Sequence, residues 1–122
     1  MRILGPIRTV TQIEISRTDS FKLGIDAPVK QSGQIAGTPG CVLVGPSGEI
    51  EVKEGVMIAD RHIHFSPNDA EKYKVRDEER VSVNVGDIRK TTFHNVLVRV
   101  RPNFVLEFHI DTDEANAALV NS

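Results

Sequence analysis

The sequence predicts a mainly β protein, built as small β-barrels capped by short helices, and three observations predict it. About seven short segments alternate apolar and polar residues with the two-residue period of a half-buried strand. Helix-start signals are confined to Ser66-Pro67 and Asp111-Thr112. No stretch has the strand–helix–strand spacing of a doubly wound sheet. The nine glycines and six prolines are spread along all 122 residues, which suits short elements joined by many turns. A chain of this length can bury one apolar core.

Taken in order, the first strand spans residues 10–16, with Thr11, Ile13 and Ile15 on one face and Gln12, Glu14 and Ser16 on the other. A stretch rich in Gly, Ser and Pro follows over residues 24–40, irregular apart from a short strand at Val29. Cys41-Val42-Leu43-Val44, the turn Gly45-Pro46-Ser47-Gly48 and Glu49-Ile50-Glu51-Val52-Lys53 read as a β-hairpin. Val56-Met57-Ile58-Ala59 leads into Asp60-Arg61-His62-Ile63-His64. Ser66 caps a short helix with Pro67 at its first position. Strands at 81–85, 95–100 and 104–110 come next, and Asp111 or Thr112 caps a closing helix. A junction near Asp60 divides the chain into 1–58 and 59–122, with no linker between them.

Composition excludes several function classes. Fifteen basic against seventeen acidic residues leave a net charge of -2, which gives no general attraction to nucleic acid or an anionic membrane. Trp is absent and aromatics are 5%, too few for base-stacking platforms. No run approaches the roughly eighteen apolar residues of a membrane helix. The apolar pair Ile3-Leu4, interrupted at Gly5-Pro6, is no signal peptide. Cys41 has no partner for an intramolecular disulfide. The expected location is the cytoplasm.

His62 and His64 carry the strongest local signal. On a strand their spacing places both imidazoles on one face, aimed at a first-row metal or, equally, left as surface or hydrogen-bonded histidines. His109, late in an apolar strand, needs solvent or a partner and is able to converge with them. His94 reads as a surface or structural residue. Glu14 is an oxygen ligand or base, or else an exposed ladder carboxylate. Arg8 is an oxyanion clamp or a surface charge. Six residues of straight strand span roughly 20 Å, so these two share a site only if the chain bends around Thr9 or Val10. Cys41 and the serines lack the surroundings of a nucleophile.

The blocks Gly5-Pro6-Ile7-Arg8 and Thr11-Gln12-Ile13-Glu14-Ile15-Ser16-Arg17-Thr18-Asp19, then Leu23-Gly24-Ile25-Asp26-Ala27-Pro28-Val29 with Ser32-Gly33, resemble the phosphate propanoyltransferase (PduL-type phosphotransacylase) family. So do Ala59-Asp60-Arg61-His62-Ile63-His64, Asn95-Val96-Leu97-Val98-Arg99-Val100 and His109-Ile110-Asp111-Thr112-Asp113-Glu114-Ala115-Asn116-Ala117-Ala118. The resemblance implies reversible acyl transfer from short-chain acyl-CoA, propanoyl or acetyl, to phosphate, on two small β-barrels with zinc sites between them. It implies that His62, His64 and His109 hold one metal, that Glu14 helps to hold another beside the CoA sulfur, and that Arg8 is the catalytic residue facing phosphate. Direct attack by phosphate is the implied mechanism, with CoA a substrate.

The resemblance also implies that the chain matches only the family's central and C-terminal part. Residues 1–58 would then be an incomplete first barrel and 59–122 the second, with the N-terminal part and its earlier His-x-His block missing. Exposed edges would favour a homo-oligomer, or a partner chain supplying the missing N-terminal half. The extension that sends some relatives into microcompartments is not recognisable here. Two other readings are a noncatalytic metal-binding β-barrel that serves as an assembly partner, and a mononuclear metal thioester hydrolase.

Overall fold

The structure, a computed structural model, describes residues 2–5 and 7–121; Met1, Ser122 and the proline of the Gly5-Pro6-Ile7-Arg8 block lie outside them. Along the described residues the elements run β1 (Ile13–Glu14), α1 (Arg17–Leu23), β2 (Val29–Lys30), β3 (Cys41–Gly45), β4 (Gly48–Val52), β5 (Val56–Ala59), β6 (His62–Phe65), α2 (Pro67–Tyr73), β7 (Arg80–Val85), β8 (Thr91–Val100), β9 (Glu107–His109) and α3 (Thr112–Ala118). They fall into two compact units, Met1–Ile58 and Ala59–Ser122. No helix among the described residues is long and apolar enough to cross a membrane.

The expectation of β-barrels is overturned. Strands β1, β5 and β2 form one sheet with β5 in the middle, β3 and β4 form a separate hairpin, and the third sheet runs β7-β8-β6-β9. A barrel closes only when its outermost strands hydrogen-bond to each other. Here β7 and β9 are the two edges of their sheet, and β1 and β2 are only two residues long. Parallel pairing of β1 with β5 and of β6 with β8 also requires crossover connections, and these carry helices. The fold is mixed α/β with three open sheets.

Helix α1 is the element that alternation hid. The segment read as a strand to residue 16 pairs only at Ile13 and Glu14, after which Ser16 turns into a cap. Its hydroxyl accepts from the Asp19 N–H at 3.1 Å, and Gly24, at φ 65°, closes the far end. The hairpin forms as the sequence predicts, with Cys41 opposite Val52 and Gly45 opposite Gly48. Helix α2 starts at its Ser66 cap with Pro67 in the first turn.

Each unit has its own apolar centre. Ile13, Ala27, Val56 and Ile58 pack in the first. In the second, Phe65, Ala70 and Val98 form one cluster and Phe93, Val96 and Ala118 another, so that helices α2 and α3 each cover part of the four-stranded sheet. The sheet that carries the histidines is thus anchored by buried neighbours such as Val96 and Val98, both fully enclosed.

Gly55 fixes the place of β1. Its carbonyl accepts from the Ile13 N–H at 2.8 Å, and its own N–H donates to the Thr38 hydroxyl at 2.8 Å. Its φ is 130°, and a Cβ there would lie 2.5 Å from the Thr11 carbonyl oxygen. Gly48, at φ 135°, has open space around the same position. Gly55→Ala is expected to lose more than the roughly 1–3 kcal/mol of backbone strain alone, whereas Gly48→Ala carries only the strain. Urea unfolding of both variants beside the parent measures the difference.

Candidate metal centre

Strand β6 places His62 and His64 on one face, and its antiparallel neighbour β9 sets His109 directly opposite His62. The three rings gather. Their centroids are 5.0 Å apart for His62 and His64, 4.8 Å for His62 and His109, and 4.2 Å for His64 and His109. One nitrogen from each lies within 4.8 Å of the others, and among the described residues this is the group so arranged for a metal ion. The sequence allowed either convergence or three separate histidines; the structure brings them together.

Their hydrogen bonding suits a cation. The Nδ1 of buried His62 lies 2.8 Å from the Asp60 backbone carbonyl. A carbonyl only accepts, so Nδ1 carries the proton and Nε2 keeps its lone pair. The Nε2 atoms of His64 and His109 are buried without a hydrogen-bond partner. Burying such atoms unpaired is unfavourable, and three converging imidazole nitrogens are a donor set that fits a divalent first-row ion. Burial, with His109, His62 and Arg99 nearby, lowers the pKa of His64 to about 4, so its ring is neutral at physiological pH.

Supports that the sequence reading missed hold this face. Phe104 stacks on the His64 ring at 3.8 Å with an interplanar angle of 16°. The Asp60 carboxylate pairs with Arg80 at 2.7 Å, and Arg61 pairs with Glu114 at 2.8 Å. Glu114 also closes the capping box of α3 with Asp111, and burial pushes its carboxyl up. The Asp-x-x-Glu spacing before α3 signals that box; nothing local signals the long-range ion pairs. His94 is exposed, with Nδ1 2.8 Å from the Ser82 hydroxyl, a structural contact.

Arg8 and Glu14 belong to the first unit. The chain bends at Thr9 and Val10, which is the condition for the two to approach. Gln12 links them: its Oε1 accepts from Arg8 at 3.4 Å, and its Nε2 donates to Glu14 at 2.6 Å. The Ser32 hydroxyl accepts from Gln12 at 3.1 Å and from Arg8 at 3.4 Å, and the Gly33 N–H donates to Gln12 Oε1 at 2.6 Å. Gln12 and Ser32 are the connecting residues that the individual reading of Arg8 and Glu14 omitted.

The low His64 pKa has a consequence for stability. Between 6.5 and about 4 the unfolded chain takes up a proton that the folded chain refuses. Stability of the metal-free chain therefore falls as pH drops through that window and levels off below it. Urea unfolding in the presence of a chelator, at pH 7 and pH 4.5, is expected to show a larger acid loss for the parent than for His64→Gln.

A family model described as phosphate propanoyltransferase matches residues 1–121. Curated relatives with that name include proteins of Thermotoga maritima, 56% identical over 100% of this chain and 59% of the relative; Lachnoclostridium phytofermentans, 52% identical over 98% and 56%; and Salmonella typhimurium, 55% identical over 97% and 57%. The chain therefore spans a little under three-fifths of the length of these relatives. The reading of the likeness as a partial one is corrected: the family match runs across residues 1–121 of this chain and takes in the Arg8 and Glu14 block together with the histidine blocks. On that match and those identities, the chain belongs to the phosphate propanoyltransferase family.

Proposed function

We propose that this chain is a phosphate acyltransferase that moves a propanoyl or acetyl group between the sulfur of CoA and inorganic phosphate. The observation that carries the reading is the convergence of His62, His64 and His109 in a member of this family. In the forward direction a phosphate oxygen forms a bond to the thioester carbonyl carbon, the carbon–sulfur bond breaks, and CoA leaves as thiolate. No protein nucleophile is needed for this step.

The three imidazoles are proposed to hold a divalent ion, zinc being the ion their donor set suits best. When bound, it supplies a Lewis acid that offsets phosphate charge and polarises a carbonyl or steadies a leaving thiolate. The Asp60 carbonyl fixes the ring of His62, and Phe104 fixes that of His64. Arg8 is proposed to receive phosphate through its guanidinium fork, with Gln12 and Ser32 setting its direction. Glu14 is proposed as an oxygen ligand near the CoA sulfur, steadied by the Gln12 amide.

Ile3, Leu4 and Ile7 are almost fully exposed, as is much of Val44 and Ile50 on the hairpin. The exposure of these apolar residues supports assembly as a homo-oligomer or with a partner chain. The cytoplasm is the proposed location, with microcompartment association compatible.

The test is an assay of the purified chain with propanoyl-CoA and phosphate, following CoA thiol release and trapping acyl phosphate with hydroxylamine. Acyl phosphate is expected only with phosphate present, to increase with added zinc or cobalt, and to disappear with chelator. His62→Ala is expected to lose bound metal and turnover together. Arg8→Ala is expected to lower kcat/KM on the order of 10²-fold, the scale of losing one charge-stabilising donor. Thiol release without phosphate would mark a hydrolase and overturn the proposal.

A further inference from the structure

Glu107 stands opposite His64 in the β6–β9 register and two residues before His109, so its side chain shares the face of the three imidazoles. Its Oε2 lies 3.3 Å from His109 Nε2, within ion-pair distance but off the line of a hydrogen bond. That nitrogen is one of the two buried imidazole atoms without a hydrogen-bond partner, and His109 is one of the three residues that each bring a ring nitrogen to the cluster. The carboxylate approaches from the open side, since its side chain is 67% exposed against 36% for His109. Three protein ligands leave a tetrahedral ion one position to fill.

We infer that Glu107 supplies a fourth, replaceable ligand to the ion held by His62, His64 and His109, and that it yields this position to an incoming oxyanion. The inference rests on the metal reading proposed above and extends it by a residue. The exchange is of one anionic oxygen for another: the carboxylate swings into solvent as the anion enters, and no electrons are transferred. An exposed, singly tethered carboxylate suits this role because little packing opposes its movement. It would shield the ion while phosphate is scarce, and its departure would make phosphate entry a competition between two anions.

The experiment uses the whole chain loaded with cobalt(II), with inorganic phosphate as the probe. Glu107→Gln and Glu107→Ala are expected to change the visible cobalt spectrum, to weaken zinc binding by about tenfold or more in a chelator competition, and to tighten phosphate binding severalfold in a spectral titration. Circular dichroism of each variant checks that the fold is retained, and Glu107→Asp is expected to restore part of the parent spectrum. An unchanged spectrum and unchanged zinc affinity in both Glu107→Gln and Glu107→Ala would overturn the role of Glu107 while leaving the three-histidine reading intact. Failure of the parent to bind cobalt or zinc at all would overturn both.

Discussion

The site depends on a single strand register, the pairing of β6 with β9 that sets His62 across from His109. Side chains alternate along a strand, so a slip of one residue would turn His109 to the opposite face and bring Phe108 or Ile110 toward His62. The register is held from several sides. Packing around Phe93, Val96 and Ala118 includes Phe108 and Ile110, which fixes the apolar face of β9. The parallel pairing of β6 with β8 places His62 beside Leu97 and His64 beside Arg99. The imidazoles are thus positioned by the burial of residues that make no contact with a ligand, and the buried face determines the geometry of the polar one.

The first unit solves a different problem, that of holding two opposite charges near each other without letting them neutralise directly. Gln12 stands between Arg8 and Glu14 and uses both ends of its amide: the oxygen accepts from the guanidinium and the Gly33 N–H, while the nitrogen donates to the carboxylate and the Ser32 hydroxyl. A direct ion pair would occupy the same groups that an oxyanion or a cation would need. An intervening amide orients both and leaves lone pairs and N–H groups free of one another. Backbone bends at Thr9 and Val10 make this arrangement possible within a short stretch of chain.

Much of the local structure is readable from residue order. The Gly45-Pro46-Ser47-Gly48 hairpin, the Ser66 cap before Pro67 and the alternation of Val81, Val83 and Val85 all depend on neighbours a few positions away. So does the shared face of His62 and His64. Helix α1 was equally local, yet its Ser16-x-x-Asp19 start sits directly after β1 and the strand pattern masked it. Sheet closure was not readable, because alternation gives the faces of a strand and says nothing about which strands finish a sheet. The barrel expectation came from family resemblance and strand number, and short strands with parallel crossovers leave three open sheets instead. The partners Asp60, Arg80, Arg61 and Glu114 were invisible for a related reason: ion pairs between distant elements leave no periodic trace.

The partner that orients His62 is a main-chain oxygen. A peptide carbonyl does not titrate and is present whatever side chain occupies its residue. The orientation of the most enclosed ring is therefore insulated from the identity of the side chain at position 60. Evolutionary drift there can retune the link to Arg80, and with it the rigidity of the neighbouring sheet edge, while the lone pair on the imidazole keeps its aim.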